Sequence, residues 1–236
     1  MTKTIIIKSA ILVILSLTIL TISIAGWLSN STNQNNLVTV GDVEVEVDVY
    51  FLYDSGSGPE RYVGNVYHVA ESFEQGSFTK TGVYKVNISS SDDPQFIENL
   101  RVDIKIKSKV DTYFRIAVYE QLTLTFISGG KTYEVATTQE GPMPFNYMDS
   151  GDSMNPYFFD NRDNDGYFYY TDTVKRSPDT TPYSITFVSD FGSTPFNLYD
   201  TSYSLQLGYI IEAVQAIEGP AINWGLPDRP WDDGVW

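Results

Sequence analysis

Cysteine is absent from the 236 residues and histidine occurs once, as His68. Without thiols there is no disulfide framework and no thiolate metal site. A single imidazole removes the two-histidine zinc sites and most nucleophile–base pairs. Basic residues are also scarce, 15 against 30 acidic, for a formal net charge of −15. Phosphate binding needs a basic footprint, so nucleic acid is excluded as a partner. There is no phosphate loop, no zincin helix motif and no nucleophile elbow. Outside the first 28 residues no segment carries a 3.6-residue apolar stripe, and nothing downstream reads as a second membrane segment. These absences point to a chain that is not an enzyme. His68 lies in the strand-like run VYHVA and reads as a strand residue with a hydrogen-bonded ring.

What is plentiful is β-structure. The chain holds 17 Tyr, 13 Phe and 4 Trp, a composition suited to strands and turns. Residues 38–51, VTVGDVEVEVDVYF, alternate Val43, Val45, Val47 and Val49 with Glu44, Glu46 and Asp48. That is a strand with one dry face and one charged face. The same period of two recurs over residues 100–107, where Val102, Ile104 and Ile106 alternate with Asp103, Lys105 and Lys107. Further strands are predicted over 62–69, 78–88, 112–126 (one bent strand or two), 132–136, 166–171, 183–189 and 202–216. DSGSGPE at 54–60 and SSSDDPQ at 89–95 read as loops, with a short turn at 95–99, and Gly129-Gly130 as the turn of a hairpin. Residues 139–165, rich in Pro, Asp and Asn, are predicted to be loop. About ten short strands without alternating helices predict an all-β fold, a two-sheet jelly-roll sandwich. An immunoglobulin-like sandwich is the nearest competitor, lacking its usual cysteine pair.

Lys3 and Lys8 precede an apolar run from Ala10 to Leu28 broken only by Ser16, Thr18, Thr21 and Ser23. A charged start and an apolar middle make residues 1–26 a signal peptide, with Ser23-Ile24-Ala25 offering a cut before Gly26. An uncleaved anchor is the alternative, the run being nearly bilayer-long. Residues 27–236 then form a single jelly-roll domain, opened by the polar spacer SNSTNQNN at 29–36. The expected location is extracellular, with contact to membrane only through the leader.

One stretch resembles a metal loop. Asp160-Asn161-Arg162-Asp163-Asn164-Asp165-Gly166 sets oxygen ligands two apart before a Gly, and Asp172 follows at the far end. Asp160, Asn161, Asp163, Asp165 and Asp172 are therefore candidate ligands of a structural calcium ion, weighed against a solvated acidic turn. No other cofactor is suggested. Exposed Tyr and Trp together with this acidic loop leave a carbohydrate-binding sandwich module as the alternative function.

Four segments in order resemble the TasA/camelysin group of exported bacterial matrix proteins. They are Asn36-Leu37-Val38-Thr39-Val40-Gly41-Asp42-Val43-Glu44-Val45; IKSKVDTYFRIAVY at 106–119, with Tyr113 and Arg115 in the Tyr-x-Arg strand; DGYFYY at 165–170 followed by Val174 and Pro178; and Glu212-Ala213-Val214-Gln215-Ala216 with Trp224 downstream. The leader departs from the family's usual end, reading Ala25-Gly26-Trp27-Leu28-Ser29. The resemblance implies a secreted jelly roll that polymerises into extracellular or biofilm-matrix fibres, the N-terminal segment of one subunit filling a strand position in the next. The partner is then another copy of the chain, with minor matrix or anchor proteins. Residues 27–49 become the donor segment, and Val38, Val40, Val43, Val45, Val47 and Val49 its self-assembly face. Some camelysin relatives are described as metalloproteases, but no residue cluster here would hold a catalytic zinc. The tail GLPDRPWDDGVW at 225–236 lies beyond the last motif and receives no role.

Overall fold

A computed structural model describes residues 43–74, 79–137, 145–147, 158–177, 181–191, 202–232 and 234–236. The leader at 1–26, the spacer, and Val38 and Val40 lie outside the described residues.

Alternation of apolar and polar residues produces strands, and strands of opposite inner faces pair into two antiparallel sheets packed as a sandwich. The first sheet contains β1 (Val43–Asp54), β2 (Pro59–Tyr62), β5 (Leu100–Ser108), β8 (Phe145–Tyr147) and β11 (Tyr183–Phe191), in the order β2-β1-β5-β11-β8. The second contains β3 (Val66–Glu74), β4 (Thr79–Asn87), β6 (Thr112–Ser128), β7 (Lys131–Ala136), β9 (Phe158–Asp160), β10 (Tyr167–Tyr170) and β12 (Tyr203–Gln215). Its order is β3-β4-β12-β6-β10-β9, with β7 paired to β6. A 3-10 turn, Ile97–Asn99, leads into β5, and a one-turn helix, Gly219–Asn223, follows β12.

The core is what the period of two implies. Val43, Val45, Val47, Val49 and Phe51 of β1 are buried with Leu100, Val102, Ile104 and Ile106 of β5. Facing them are Tyr84, Val86, Phe114, Ile116, Leu205, Leu207, Tyr209 and Ile211 of the second sheet. Each buried Val contributes about 1.5–3 kcal/mol of transfer free energy, so β1 is with β5 a main part of one wall of the sandwich.

Several elements differ from the sequence-based expectation. The run 112–126 is one continuous strand of 17 residues, β6, because β12 pairs with it from Thr112 to Leu124 and holds it straight. The run 62–69 is not one strand. The chain ends β2 at Tyr62 in the first sheet and begins β3 at Val66 in the second, so residues 63–65 form the crossing between sheets. Two three-residue strands, β8 and β9, lie inside the stretch expected to be loop. At 54–60 the turn is as expected: Gly56 (φ 92°) and Gly58 (φ 114°) take the left-handed backbone that favours glycine, and both N–H groups donate to Asp54 Oδ1 at 2.8 and 3.2 Å.

Candidate assembly edge and the Arg115 cluster

β1 has two lateral edges, and they are treated differently. On one side β5 pairs with it in register from Val43↔Ser108 to Phe51↔Leu100. On the other side β2 covers only Phe51 to Asp54. Among the described residues, 43–50 have no partner strand on that side. β3, the terminal strand of the second sheet, lies over the same flank of the sandwich. Between them runs a cleft of about 430 Å³ whose apolar lining is Val47, Val49, Val63 and Val66, with His68 and Tyr84.

The polar groups of this cleft are tied to one another. Tyr84 O–H donates to Val47 O at 3.0 Å across the two sheets, and burial pushes its phenol up to about 12. The ring needs room that only glycine leaves: a Cβ on Gly82 would sit 2.9 Å from it. His68 stacks on Tyr84 at 4.8 Å, and its Nε2 is 3.6 Å from Glu71. Glu71 in turn pairs with Lys80, a lysine in the inward row of β4 whose burial lowers its affinity for a proton. His68 is thus a strand residue stacked on Tyr84 with Glu71 beside its ring.

The charged face of β1 carries a ladder of pairs across to β5. Lys107 Nζ meets Glu44 at 3.0 Å and Lys105 Nζ meets Asp48 at 2.7 Å, while Arg61 from β2 donates to Asp48 at 2.9 Å. Burial pushes the Asp48 carboxyl up, but the bonds from Arg61 and Lys105 outweigh it and leave the group below its ordinary range. Most of these pairs are partly exposed, so each adds little to stability.

Four of the candidate calcium residues sit in the β9–β10 hairpin, and Asp172 lies just past the end of β10. Asp160 accepts from Arg162 Nη2 at 2.7 Å, Asn161 Oδ1 accepts from Asn164 Nδ2 at 2.7 Å, and Asp165 Oδ2 accepts from Tyr169 O–H at 2.5 Å. Asp172 Oδ1 accepts from Thr173 N–H at 2.7 Å, and Asp163 is exposed. Gly166, at φ 87°, closes the turn into β10. These oxygens serve the turn itself, and among the described residues no group of three or more His, Asp or Glu is placed to hold a metal ion.

A second constellation was not foreseen from the sequence. Arg115 of β6 is held by Glu212 of β12, with Nε and Nη2 at 2.8 and 2.7 Å, and its Nη1 donates to Tyr169 O–H at 3.1 Å. Its guanidinium lies 3.9 Å from the Tyr167 ring centre and 4.9 Å from that of Trp224. Burial opposes the positive charge, but Glu212 and the two phenols outweigh it and hold the group above its ordinary value. Tyr167 O–H donates to Glu212 at 3.2 Å. The C-terminal tail closes over this cluster. Trp231 packs 6.4 Å from Tyr169, Trp236 packs 4.9 Å from Tyr113, and Trp236 Nε1 donates to Leu226 O at 2.9 Å. Trp236 also meets Trp224 and Trp231 edge-on at 5.8 and 5.3 Å. Tyr113 and Arg115, then Asp165, Tyr167 and Tyr169, then Glu212 and Trp224 come from three of the four segments quoted for the family resemblance. Arg115 and Glu212, 97 residues apart in the chain, are thus joined in one contact network.

Comparison of the chain with protein-family profiles, with curated proteins and with solved structures returned no match.

Proposed function

We propose that this chain is a secreted jelly-roll subunit of an extracellular fibre, assembled when the N-terminal segment of one copy adds as a strand to the open β1 edge of the next. The observation that carries the reading is that half-covered edge, with an apolar cleft beneath it. An unpaired strand edge is a template for an added strand, and a head-to-tail addition that does not close yields filaments. The convergence of three resembling segments on Arg115 adds support, because it gives those residues a shared physical reason to occur together. The exchanged part is confined to residues before Val43. Val43, Val45, Val47 and Val49 are buried in the core of their own chain and paired with their own β5, so lending them would dismantle the lender. The role is mechanical and not catalytic. A glycan-binding role has less behind it, since Trp224, Trp231 and Trp236 pack against one another and the β6–β10 face.

The test is negative-stain microscopy of the chain begun at Trp27 beside the same chain begun at Val43. Filaments from the first and monomers with unchanged far-UV circular dichroism from the second are expected. Normal filaments from the shorter chain would remove the N-terminal segment from the mechanism.

A further inference from the structure

Lys80 occupies the inward row of β4, and its side chain is 10% exposed, against 24–64% for the lysines of the other described lysine–carboxylate pairs. The strand register brings its partner to it. β3 and β4 pair Glu71↔Gly82 and Phe73↔Lys80, so Glu71 lies diagonally across from Lys80 on the same face, and the glycine directly opposite Glu71 puts no side chain between them. Lys80 Nζ meets Glu71 Oε1, while His68 Nε2 lies 3.6 Å from Glu71 Oε2. The one imidazole of the chain thus stands beside this pair, kept there by its stacking on Tyr84. Burial lowers the affinity of Lys80 for a proton against the opposing pull of Glu46, which brings the neutral, nucleophilic amine within reach.

We propose that Lys80 and Glu71 condense to an amide, a covalent rung between β3 and β4. Nζ attacks Cδ of Glu71, the Cδ–Oε1 bond breaks, and Oε1 leaves as water with two of the ammonium protons, the remaining one becoming the amide N–H. Charge balances, because one cation and one anion are consumed together and nothing is oxidised or reduced. Oε2 carries the negative charge of the tetrahedral intermediate and stays as the amide oxygen, and His68 stabilises it by donating from Nε2. Condensation in dilute water runs uphill, but groups held in contact act at effective molarities of about 10⁵–10⁸ M, which offsets that cost. Glu71 lines the cleft beside β1, so the leaving water has an exit. The product suits the fold. Among the described residues β3 ends its sheet with a partner strand, β4, on one side only, and a chain without cysteine has no disulfide to hold such a strand. The bond is expected in monomer and fibre alike, so its presence or absence leaves the fibre reading untouched.

The test is mass spectrometry of the full chain, purified, denatured and digested with trypsin, which cuts after a free lysine and not after an acylated one. The sites around the pair are Arg61, Lys80 and Lys85. The expected product is a single peptide of residues 62–85, uncut after Lys80, lighter than its sequence by one water, with fragmentation placing the loss between Glu71 and Lys80. Lys80→Arg keeps the charge and cannot form the amide, so it should yield residues 62–80 and 81–85 at full mass. His68→Phe keeps a ring on Tyr84 but has no N–H to give, and its light peptide should build up about tenfold or more slowly in samples taken through expression. Residues 62–80 recovered at full mass as the sole product, from fresh and from aged protein, would overturn the bond. A lost water placed elsewhere in the peptide, or one that persists in Lys80→Arg, would overturn it too. Equal rates in His68→Phe and the unaltered chain would remove His68 from the step.

Discussion

Replacing Arg115 by Met tests whether the tail and the three motif segments are held by one buried charge. The Arg115 and Glu212 side chains are only 13% and 16% exposed, so both charges are largely out of water. Without the guanidinium, the Glu212 carboxylate keeps one described partner, the Tyr167 O–H at 3.2 Å. Breaking such a pair on one side costs about 3–5 kcal/mol, chiefly because the other charge is stranded. The lost stacking on Tyr167 and Trp224 falls within the same range and is not added separately. A domain of this size is stable by about 5–15 kcal/mol, so the variant should sit near the edge of folding. Urea unfolding followed by far-UV circular dichroism measures the loss, and tryptophan fluorescence reports the tail. The discriminating variant is Arg115→Met/Glu212→Leu, in which neither charge remains. It should be more stable than Arg115→Met alone, since removing both partners relieves the stranded carboxylate. A loss below about 1 kcal/mol for Arg115→Met, or a double variant as damaged as the sum of the two single ones, would show that the pair is solvated and that the tail is held by packing alone.

Two shorter expectations follow. Burial, and at Tyr50 also the bond to Asp103, pushes the phenols of Tyr50, Tyr84, Tyr167 and Tyr170 up to about 12, and those of Tyr169 and Tyr209 are raised as well. A folded-state value above the unfolded one means stability that is complete below about pH 10 and lost as pH rises through about 12, so the melting temperature should be level to about pH 10 and then fall, with these phenolates appearing at 295 nm together with unfolding; appearance of all the tyrosinates near pH 10 in the folded chain would contradict the burial. Calcium in millimolar excess over chelator should leave the melting temperature unchanged, because Asp160, Asn161 and Asp165 already serve donors of their own hairpin; a rise of several degrees would show a ligand bound to the folded state only and support the calcium reading.

Much of the strand inventory could be read from period two, because each long strand has one buried face. β5, β11 and β12 fall within two residues of their expected bounds, and β1, described from Val43, runs three residues past its expected end. What could not be read were features set by neighbours. β8 and β9 are three residues each, too short to show a period, and exist because β11 and β10 offer them an edge. The crossing at residues 63–65 interrupts an apolar run whose pattern does not change there, and a bulge between His68 and Ala70 then shifts the register of β3. Lys80 sits in the inward row of β4 against its polarity, and only the folded chain shows Glu71 beside it.

The functional regions divide along the same line. Tyr113, Arg115, Asp165, Tyr167, Tyr169, Glu212 and Trp224 were visible as separate motifs, but their meeting depends on the β6–β12 and β6–β10 pairings, and no spacing in the chain encodes those. The tail carries two tryptophans, Trp231 and Trp236, and no period, so its docking shows only once Arg115 stands beneath it. For β1 the sequence displays faces and is silent about edges. Residues 38–49 look like one continuous donor strand, yet a strand can be lent only if its inner face is not already the wall of its own core. From Val43 onward the inner face of β1 is such a wall. Asp at Val45 or Val47 would therefore strike folding before assembly, since a buried carboxylate there has no partner, whereas Asp at Val38 and Val40 should leave a folded, β-rich subunit that no longer joins its neighbours.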